Sequence, residues 1–204
     1  SGLQEQGVVL DLLLLNAGTC EYVDAYNLDL VAFERTFAIN FHAVVAATKY
    51  FMPLLKASLS PQLAIVSSMA HFFPFTRSQA YGASKAALRN FVQALKRELA
   101  DQPLQLCHIA PRATQTGMNS SAVQQMNLQL GSKTDSPNWV AAQIVQQLLA
   151  VRMHDEDLGF PEKFFIKINA LLPAVVDNNL RKQLPVIKQF ARQHTLLLNA
   201  GESL

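Results

Sequence analysis

A tyrosine and a lysine four residues apart form the pair in this sequence that most clearly suggests chemistry. Tyr81 and Lys85 lie in the segment SQAYGASKAALRNF, whose apolar spacing predicts a helix. At positions i and i+4 the two side chains share one helix face, so the lysine ammonium can lie near the phenol. A positive charge there favours phenolate and lowers the tyrosine pKa from about 10 towards neutrality. We therefore predict that Tyr81 is a general acid or base.

Three predicted strands alternate with two predicted helices around this pair. The strands are VVLDLLLL, PQLAIVSSMA and LQLCHIAPRA, and the first is expected to be buried on both faces. The helices are LDLVAFERTFAINFHAVVAATKYFMPLL and YGASKAALRNFVQALKRELADQ. Strands and helices that alternate with short links predict an α/β protein with a parallel sheet covered by helices.

Small and polar residues follow each predicted strand, at the end where parallel sheets bind ligands. Asn16-Ala17-Gly18 follows the first strand, Ser67-Ser68 ends the second, and the segment 111–116 ends the third. The helix that carries Tyr81 begins at the same rim. Ser68 could therefore hold a carbonyl or hydroxyl oxygen beside the Tyr81 phenol.

Composition and charge restrict the class of protein. At 204 residues with half of them apolar, the chain is long enough for one domain with a full core. Its net charge is +2, without a long basic run, which argues against nucleic acid as a partner. Cys20 and Cys107 have no metal-ligand spacing, so no metal site is predicted. The apolar VVLDLLLL is far shorter than a membrane span and follows no basic segment, and we expect a soluble, cytoplasmic protein.

Five short motifs in a fixed order make the sequence similar to the short-chain dehydrogenase/reductases. They are NAG at 16–18, Asn40 in FAINF, Ser68 in IVSSMA, YGASK at 81–85 and APRATQT at 110–116. Ser68 precedes Tyr81 by 13 residues, a separation that resembles the family's. A lone Tyr-x-x-x-Lys is weak support, whereas five motifs in order are strong. The resemblance implies a Rossmann-like doubly wound parallel sheet with helices on both faces.

The resemblance also implies an NAD(P)-dependent oxidoreductase that interconverts a carbonyl and a secondary alcohol. Tyr81 would transfer the proton and Ser68 would position the substrate oxygen. Lys85 would lower the Tyr81 pKa and bind the nicotinamide ribose, and Asn40 would hold a water of the proton relay. The residues expected to border NAD or NADP are Asn16, Ala17, Gly18, Tyr81, Lys85, Pro111, Thr114 and Thr116, with Thr116 at the carboxamide. In the family, helices like those that start near Leu30 and Tyr81 form dimer interfaces, so a homodimer or homotetramer is expected.

Two departures from the family pattern leave a second function open. The glycine-rich turn T-G-x-x-x-G-x-G, which brings a helix N-terminus to the pyrophosphate, is not in the sequence. We expect the N-terminal strands of the family fold to be missing from this chain, on the order of 80 residues. Arg112 stands where the family has glycine, and it either alters the loop over the nicotinamide or reaches a phosphate. The alternative to an enzyme is an inactive remnant or interaction module that binds no dinucleotide.

The C-terminal third is harder to interpret. We expect a catalytic portion over 1–160 and a helical extension over 161–204, packed on the same domain or on a partner subunit. The other interpretation of this extension is a helix that lies on a membrane or receives an apolar substrate. By resemblance, the polar segment from Ser120 is a mobile lid, and Ser136-Pro137 predicts the start of a helix.

Several aromatic and histidine residues near the motifs have two interpretations each. His71 could contact substrate, although a loop histidine is favoured. The three phenylalanines Phe72, Phe73 and Phe75 either wall an apolar pocket or fill the core beneath the loop. His42 and His108 lie within apolar patterns, which places them in the core or at an interface.

Overall fold

The sheet has four parallel strands. The computed structural model describes residues 2–21, 25–26, 28–72, 78–119, 121–159, 168–169 and 171–199, and for residues 4, 122 and 191–199 it describes the backbone. The strands are β1 (Leu12–Leu15), β2 (Gln62–Val66), β3 (Gln105–Pro111) and β4 (Glu156–Leu158), hydrogen-bonded in the order β1-β2-β3-β4. The three predicted strands are confirmed. The sequence did not predict β4, because its three residues include two acids and show no apolar pattern.

The helices fill the intervals between the strands. They are α1 (Gly2–Glu5), α2 (Leu30–Phe37), α3 (Ala43–Lys56), α4 (Gln79–Glu98), α5 (Ser121–Gln129), α6 (Pro137–Leu148) and α7 (Pro173–Asn199). A π-helical turn over Ala38–His42 joins α2 to α3, so the long helix predicted from Leu30 is continuous. The predicted helix start at Ser136 is confirmed, since its hydroxyl accepts from the Trp139 N–H at 3.2 Å.

Helices cover both faces of the sheet, as the fold prediction requires. On one face, Leu63 and Ile65 of β2 pack in a core that also holds Leu55 of α3 and Leu88 of α4. On the other face, alternate residues of β2 and β3 pack against α6 in a second core that includes Ala64, Cys107, Ile109, Val140 and Ile144. Strand alternation thus sends neighbouring residues to opposite cores.

The first strand differs from its prediction. Leu13 and Leu15 pack against the α3/α4 core, but Leu12 and Leu14 are 37% and 41% exposed. The prediction that β1 is buried on both faces is therefore wrong for the part of the chain described. Among the described residues β1 pairs with β2 alone, and no helix in that part covers the other side of Leu12 and Leu14.

The continuous helix Leu30–Lys56 is long and apolar enough to cross a membrane, judged by length and composition alone. Its packing is that of a covering helix in a globular domain. Thr36, Asn40 and Leu55 are completely buried, and the helix contacts β1 and α4. The sheet and the neighbouring helix α4 therefore cover part of the apolar surface of this segment.

The last helix, α7, packs against α5. Because residues 160–167 lie outside the described part of the chain, the predicted division at residue 160 stays a prediction. In the described residues the contact with α5 brings the C-terminal segment to the same edge of the sheet as the predicted site.

Candidate active site

A cavity of about 800 Å³ opens at the carboxyl ends of β1, β2 and β3. Nearly all of the predicted site residues line it. They are Asn16, Ala17 and Gly18 after β1, Ser68 after β2, Tyr81 and Lys85 on α4, and Pro111, Thr114 and Thr116 at the end of β3. Asn40 is the exception, since it lies behind the wall rather than in it. The structure thus brings the predicted residues together, while their roles stay predictions.

Ser68 and Tyr81 share a side-chain hydrogen bond. Ser68 is extended and caps the short 3₁₀ turn Met69–His71, its hydroxyl oxygen accepting from the Ala70 N–H at 3.2 Å. Because this oxygen already accepts from the backbone, its own hydrogen can be donated to the phenol or to a substrate oxygen. The two hydroxyl groups therefore define one point in the cavity where an oxygen can be held.

Lys85 is buried beside this pair, with 3% of its surface exposed. Its Nζ lies 5.6 Å from the centroid of the Tyr81 ring. Gly18 passes close behind, since a Cβ at this position would lie 3.3 Å from Lys85 Nζ and 3.4 Å from Asn40 Oδ1. The glycine lets the backbone after β1 approach the ammonium, which a larger residue would push away.

Asn40 fastens the loop after β1 to the helix that carries Tyr81. Its Nδ2 donates to Thr19 O at 2.9 Å and to Ser84 Oγ at 3.0 Å, and its Oδ1 accepts from Thr19 N at 2.8 Å. Ser84 Oγ in turn donates to Tyr81 O at 2.8 Å. Both amide N–H groups are therefore used within the protein, and the buried place of Asn40 in a π-helical turn makes it a support for both cavity walls.

The ionisation of Tyr81 and Lys85 is dominated by burial. Burial raises the pKa of Tyr81 to about 12, against the lowering effect of the Ser68 hydrogen bond, and Cys20 raises it further. Burial lowers the pKa of Lys85 to about 8, and Cys20 opposes this shift. The net direction for Tyr81 is opposite to the predicted one, because the loss of water outweighs the attraction of an ammonium several ångströms away. At neutral pH the Tyr81 phenol therefore keeps its proton.

The remaining wall of the cavity comes from α5, α6 and α7, where α7 belongs to the extension for which contact with an apolar substrate was one of the predicted alternatives. The residues of this wall are mostly apolar and include Met126 of α5, Leu130 directly after it, Val140 and Ile144 of α6, and Leu180 and Ile187 of α7. The helix α5 was not predicted, and its segment was expected to be a lid. Apolar spacings of three and four residues over Val123, Met126 and Leu130 were the available signal.

Ser67, which precedes Ser68 at the predicted end of the second strand, also lines the cavity. It is 7% exposed, and its hydroxyl oxygen has no hydrogen-bond partner among the described residues. A buried hydroxyl group without a protein partner indicates a place where a ligand or water can bond. Cys20 and Ser78 also line the cavity, and the sequence did not predict them there.

Arg112 is one of the residues that line the cavity, and its guanidinium is already paired within the protein. Its guanidinium forms a two-point ion pair with Asp135, at 2.6 Å and 2.9 Å. Of the two alternatives for this residue, an altered loop agrees with the structure better than a phosphate contact.

His71, the last residue of the 3₁₀ turn, is half-buried and lies against the buried His108. Their ring centroids are 5.1 Å apart, and His71 Nδ1 lies 2.5 Å from Ser68 O. Burial lowers the pKa of His71 to about 3 and that of His108 to about 4. Neither residue lines the cavity, so the favoured interpretation of His71 as a loop histidine agrees with its position, and the predicted core position of His108 is confirmed.

Phe72 and His42 are also outside the cavity wall. The Arg89 guanidinium lies 4.0 Å from the centroid of the Phe72 ring, which places Phe72 against α4. His42 is exposed on the π-helical turn, so of its two predicted positions the core is excluded and the interface stays a prediction. Its ring instead lies beside Phe37 and Phe41 on the same helix. Phe73 and Phe75 lie outside the described residues.

Comparison of the sequence with known proteins gives the same family as the order of the motifs. The family model of the short chain dehydrogenases matches residues 2–127. The chain belongs to this family. It is 32% identical over 120 residues to rat (Rattus norvegicus) estradiol 17-beta-dehydrogenase 2, a match that covers 58% of this chain and 31% of the relative. It is 34% identical over 115 residues to the benzil reductase ((S)-benzoin forming) of Saccharomyces cerevisiae, covering 53% of this chain and 44% of that protein.

Comparison with solved structures supports the same fold. A short chain dehydrogenase from Burkholderia cenocepacia, solved in complex with NADP, aligns with a TM-score of 0.68 at 17% identity. The alignment covers 84% of this chain and 68% of that one. Serine dehydrogenase from Escherichia coli aligns with a TM-score of 0.61 at 19% identity, covering 73% of this chain and 63% of that one. The matches with the rat and yeast proteins span less than half the length of each of those proteins.

Proposed function

We propose that this chain is the catalytic part of an NAD(P)-dependent oxidoreductase that interconverts a carbonyl and a secondary alcohol. The observation that carries the proposal is the hydrogen-bonded Ser68–Tyr81 pair, with Lys85 buried beside it in a cavity at the strand ends. A pair of hydroxyl groups that can hold one substrate oxygen beside an ammonium is suited to proton transfer at that oxygen.

The cavity residues fit the nicotinamide end of a dinucleotide. The unpartnered Ser67 hydroxyl offers a hydrogen bond, and Gly18 presents backbone without a side chain close to Lys85 Nζ. The residues proposed to hold this end are Asn16, Ala17, Gly18, Pro111, Thr114 and Thr116, with Lys85 at the ribose hydroxyls. NAD or NADP would supply or accept the hydride. None of the eight glycines in the sequence has the spacing of a pyrophosphate-binding turn, so this chain supplies no such turn for the phosphates.

Tyr81 acts at the substrate oxygen in the proposed mechanism. Ser68 and Tyr81 both hydrogen-bond a carbonyl oxygen, and Tyr81 is protonated at neutral pH because burial raises its pKa to about 12. As the carbonyl becomes an alkoxide, the phenol gives up its proton to the oxygen. Lys85, whose pKa is about 8, is mostly protonated at pH 7 and stabilises the phenolate that remains. In the reverse direction the phenolate accepts the proton of the alcohol.

The proposed substrate is apolar around its reacting group. Met126 of α5 and the following Leu130 line the same cavity as Leu180 and Ile187 of α7, so a large part of the wall offers no hydrogen bonds. Such a wall favours a hydrocarbon body over a sugar or an amino acid. The names of the estradiol and benzil relatives point to hydrophobic ring compounds for those proteins, which agrees with this proposal.

We further propose a homodimer or homotetramer in the cytoplasm. Exposed apolar residues on the long helix, such as Leu30 at 70% and Val31 at 68%, support self-association. Cys107 is a buried thiol, which persists in a reducing compartment.

An interaction module without catalysis is the second candidate. The observation that favours it is the unpaired side of β1, where Leu12 and Leu14 are exposed and the described residues contain no covering strand. Such an edge can pair with another chain. An assay of the full-length protein with NADH and NADPH separates the two candidates.

The experiment that tests the proposed function replaces Tyr81 by phenylalanine in the full-length protein. We expect turnover of a ketone substrate to fall at least about 100-fold, the usual effect of losing a positioned acid, with folding almost unchanged. Tyr50→Phe is the matched control, because Tyr50 is 65% exposed on α3, away from the cavity. Activity of Tyr81→Phe within threefold of wild type would exclude Tyr81 from the mechanism.

A further inference from the structure

The loop that follows β3 is attached to the segment before α6 by a partly buried ion pair. Arg112 Nη2 donates to Asp135 Oδ1 at 2.6 Å, and Arg112 Nε donates to Asp135 Oδ2 at 2.9 Å. The side chains are 14% and 10% exposed, so this pair is largely shielded from water. Two parallel hydrogen bonds fix the direction of the guanidinium as well as its distance.

Backbone hydrogen bonds hold the same two segments in register. The Asp135 N–H donates to Ala113 O at 2.9 Å, and the Gln115 N–H donates to Asp135 O at 2.9 Å. Thr114 lies between these two bonds and forms a parallel bridge with Asp135. The loop residues that border the cavity, Thr114 and Thr116, are therefore held through Asp135.

A third segment reaches Arg112 from the end of β4. Gly159 has φ +129°, and a Cβ there would lie 2.8 Å from Arg112 Cδ. The Arg112 N–H also donates to Leu158 O at 3.2 Å. The arginine stem thus lies against a backbone position that only glycine fits, by both conformation and space.

We propose that Arg112, Asp135 and Gly159 form a clamp that fixes the cavity loop 113–116 and thereby sets its affinity for the nicotinamide end of the cofactor. Arg112 is a positioning residue in this proposal. Partly buried ion pairs usually contribute little net stability, since apolar replacements of both partners are often neutral or stabilising. We therefore assign to this pair the positioning of the loop rather than the stabilisation of the fold. The cofactor part of the inference rests on the proposed function, whereas the fixing of the loop does not.

The test compares single and double replacements in the full-length protein. Arg112→Met and Asp135→Leu each break the ion pair, and we expect each to lower the melting temperature. The double variant removes both charges and should regain most of that loss. We nevertheless expect it to bind NADH or NADPH at least tenfold more weakly by fluorescence titration, with a raised KM for the cofactor and a smaller change in kcat. Arg112→Lys, which keeps the charge but not the two-point geometry, should lie between wild type and the double variant.

Amide hydrogen exchange measures the loop without reference to the cofactor. The N–H groups of Gln115 and Asp135 should exchange at least tenfold faster in the double variant. Lys96→Met is the control, because it breaks the Lys96–Asp155 ion pair outside the cavity and should change neither exchange in the loop nor cofactor affinity.

The outcomes separate the two levels of the inference. Unchanged exchange at Gln115 and Asp135 in the double variant would overturn the clamp, whether or not the cofactor binds. Faster exchange with unchanged cofactor affinity would overturn the link between the clamp and the cofactor. If wild-type protein binds neither NADH nor NADPH, the proposed function fails, and the exchange rates still decide whether the clamp fixes the loop.

Discussion

Replacing Lys85 by methionine tests the balance of burial and charge in the candidate site. Lys85 is 3% exposed, and its pKa falls from 10.5 to about 8 in the folded chain. Between these two values the unfolded chain keeps a proton that the folded chain has released. The unfolded state then binds more protons, so the free energy of unfolding rises with pH in this window. Methionine is similarly long and carries no charge, and its variant lacks this contribution.

The size of the effect follows from the two pKa values. From pH 7 to pH 9 the folded lysine passes through its titration while the unfolded lysine stays charged, which corresponds to about 1.3 kcal/mol. The free energy of unfolding of wild type, measured relative to that of Lys85→Met, should increase by this amount. Below pH 7 the difference should be constant, with the cost of the buried ammonium fully present in wild type.

Urea denaturation at several pH values between 7 and 9 measures this difference. Lys49→Met is the matched control, because Lys49 is an exposed lysine on α3 and its replacement should follow wild type across the range. If the curves of wild type and Lys85→Met run parallel, Lys85 keeps its charge in the folded protein and burial does not control its ionisation. Our account of both Tyr81 and Lys85 would then be wrong, since the two shifts have the same cause.

Three further predictions concern other parts of the molecule. Lowering the pH from 7 to 5 should reduce the free energy of unfolding by about 2 kcal/mol for each of the shielded histidines His71 and His108, because the unfolded histidines gain protons that the folded ones do not. In urea titrations His108→Leu should remove about half of this loss. The same loss in His108→Leu as in wild type would contradict the prediction. The protein should self-associate through the long helix and α4, and light scattering that shows a monomer at micromolar concentration would refute this. The 204-residue chain alone should bind NAD(H) or NADP(H) with a Kd above about 1 mM, so micromolar binding in a calorimetric titration would show that a glycine-rich turn is dispensable.

The sequence predicted the part of the site that depends on local pattern. Tyr81 and Lys85 share a face because both lie on one helix, and Ser68 meets them because parallel strands end at one edge of the sheet. These relations need only helix geometry and the alternation of strands and helices. The family pattern supplied Asn40, whose contacts with Thr19 and Ser84 join residues distant in sequence and follow from no local rule.

The sequence could not predict which of two opposing effects decides the ionisation of a site residue when these effects depend on residues distant in the chain. The charge of Lys85 is visible in the sequence, but the depth at which Tyr81 is buried is not, and burial decides the direction of the tyrosine pKa. A similar limit applies to Arg112. As an isolated arginine beside a cavity it suggests a phosphate contact, yet Asp135, 23 positions later in the chain, already holds its guanidinium. A charge near a site therefore indicates a ligand only after its protein partners are known, and the double variant of Arg112 and Asp135 measures how far that pairing serves the cavity loop.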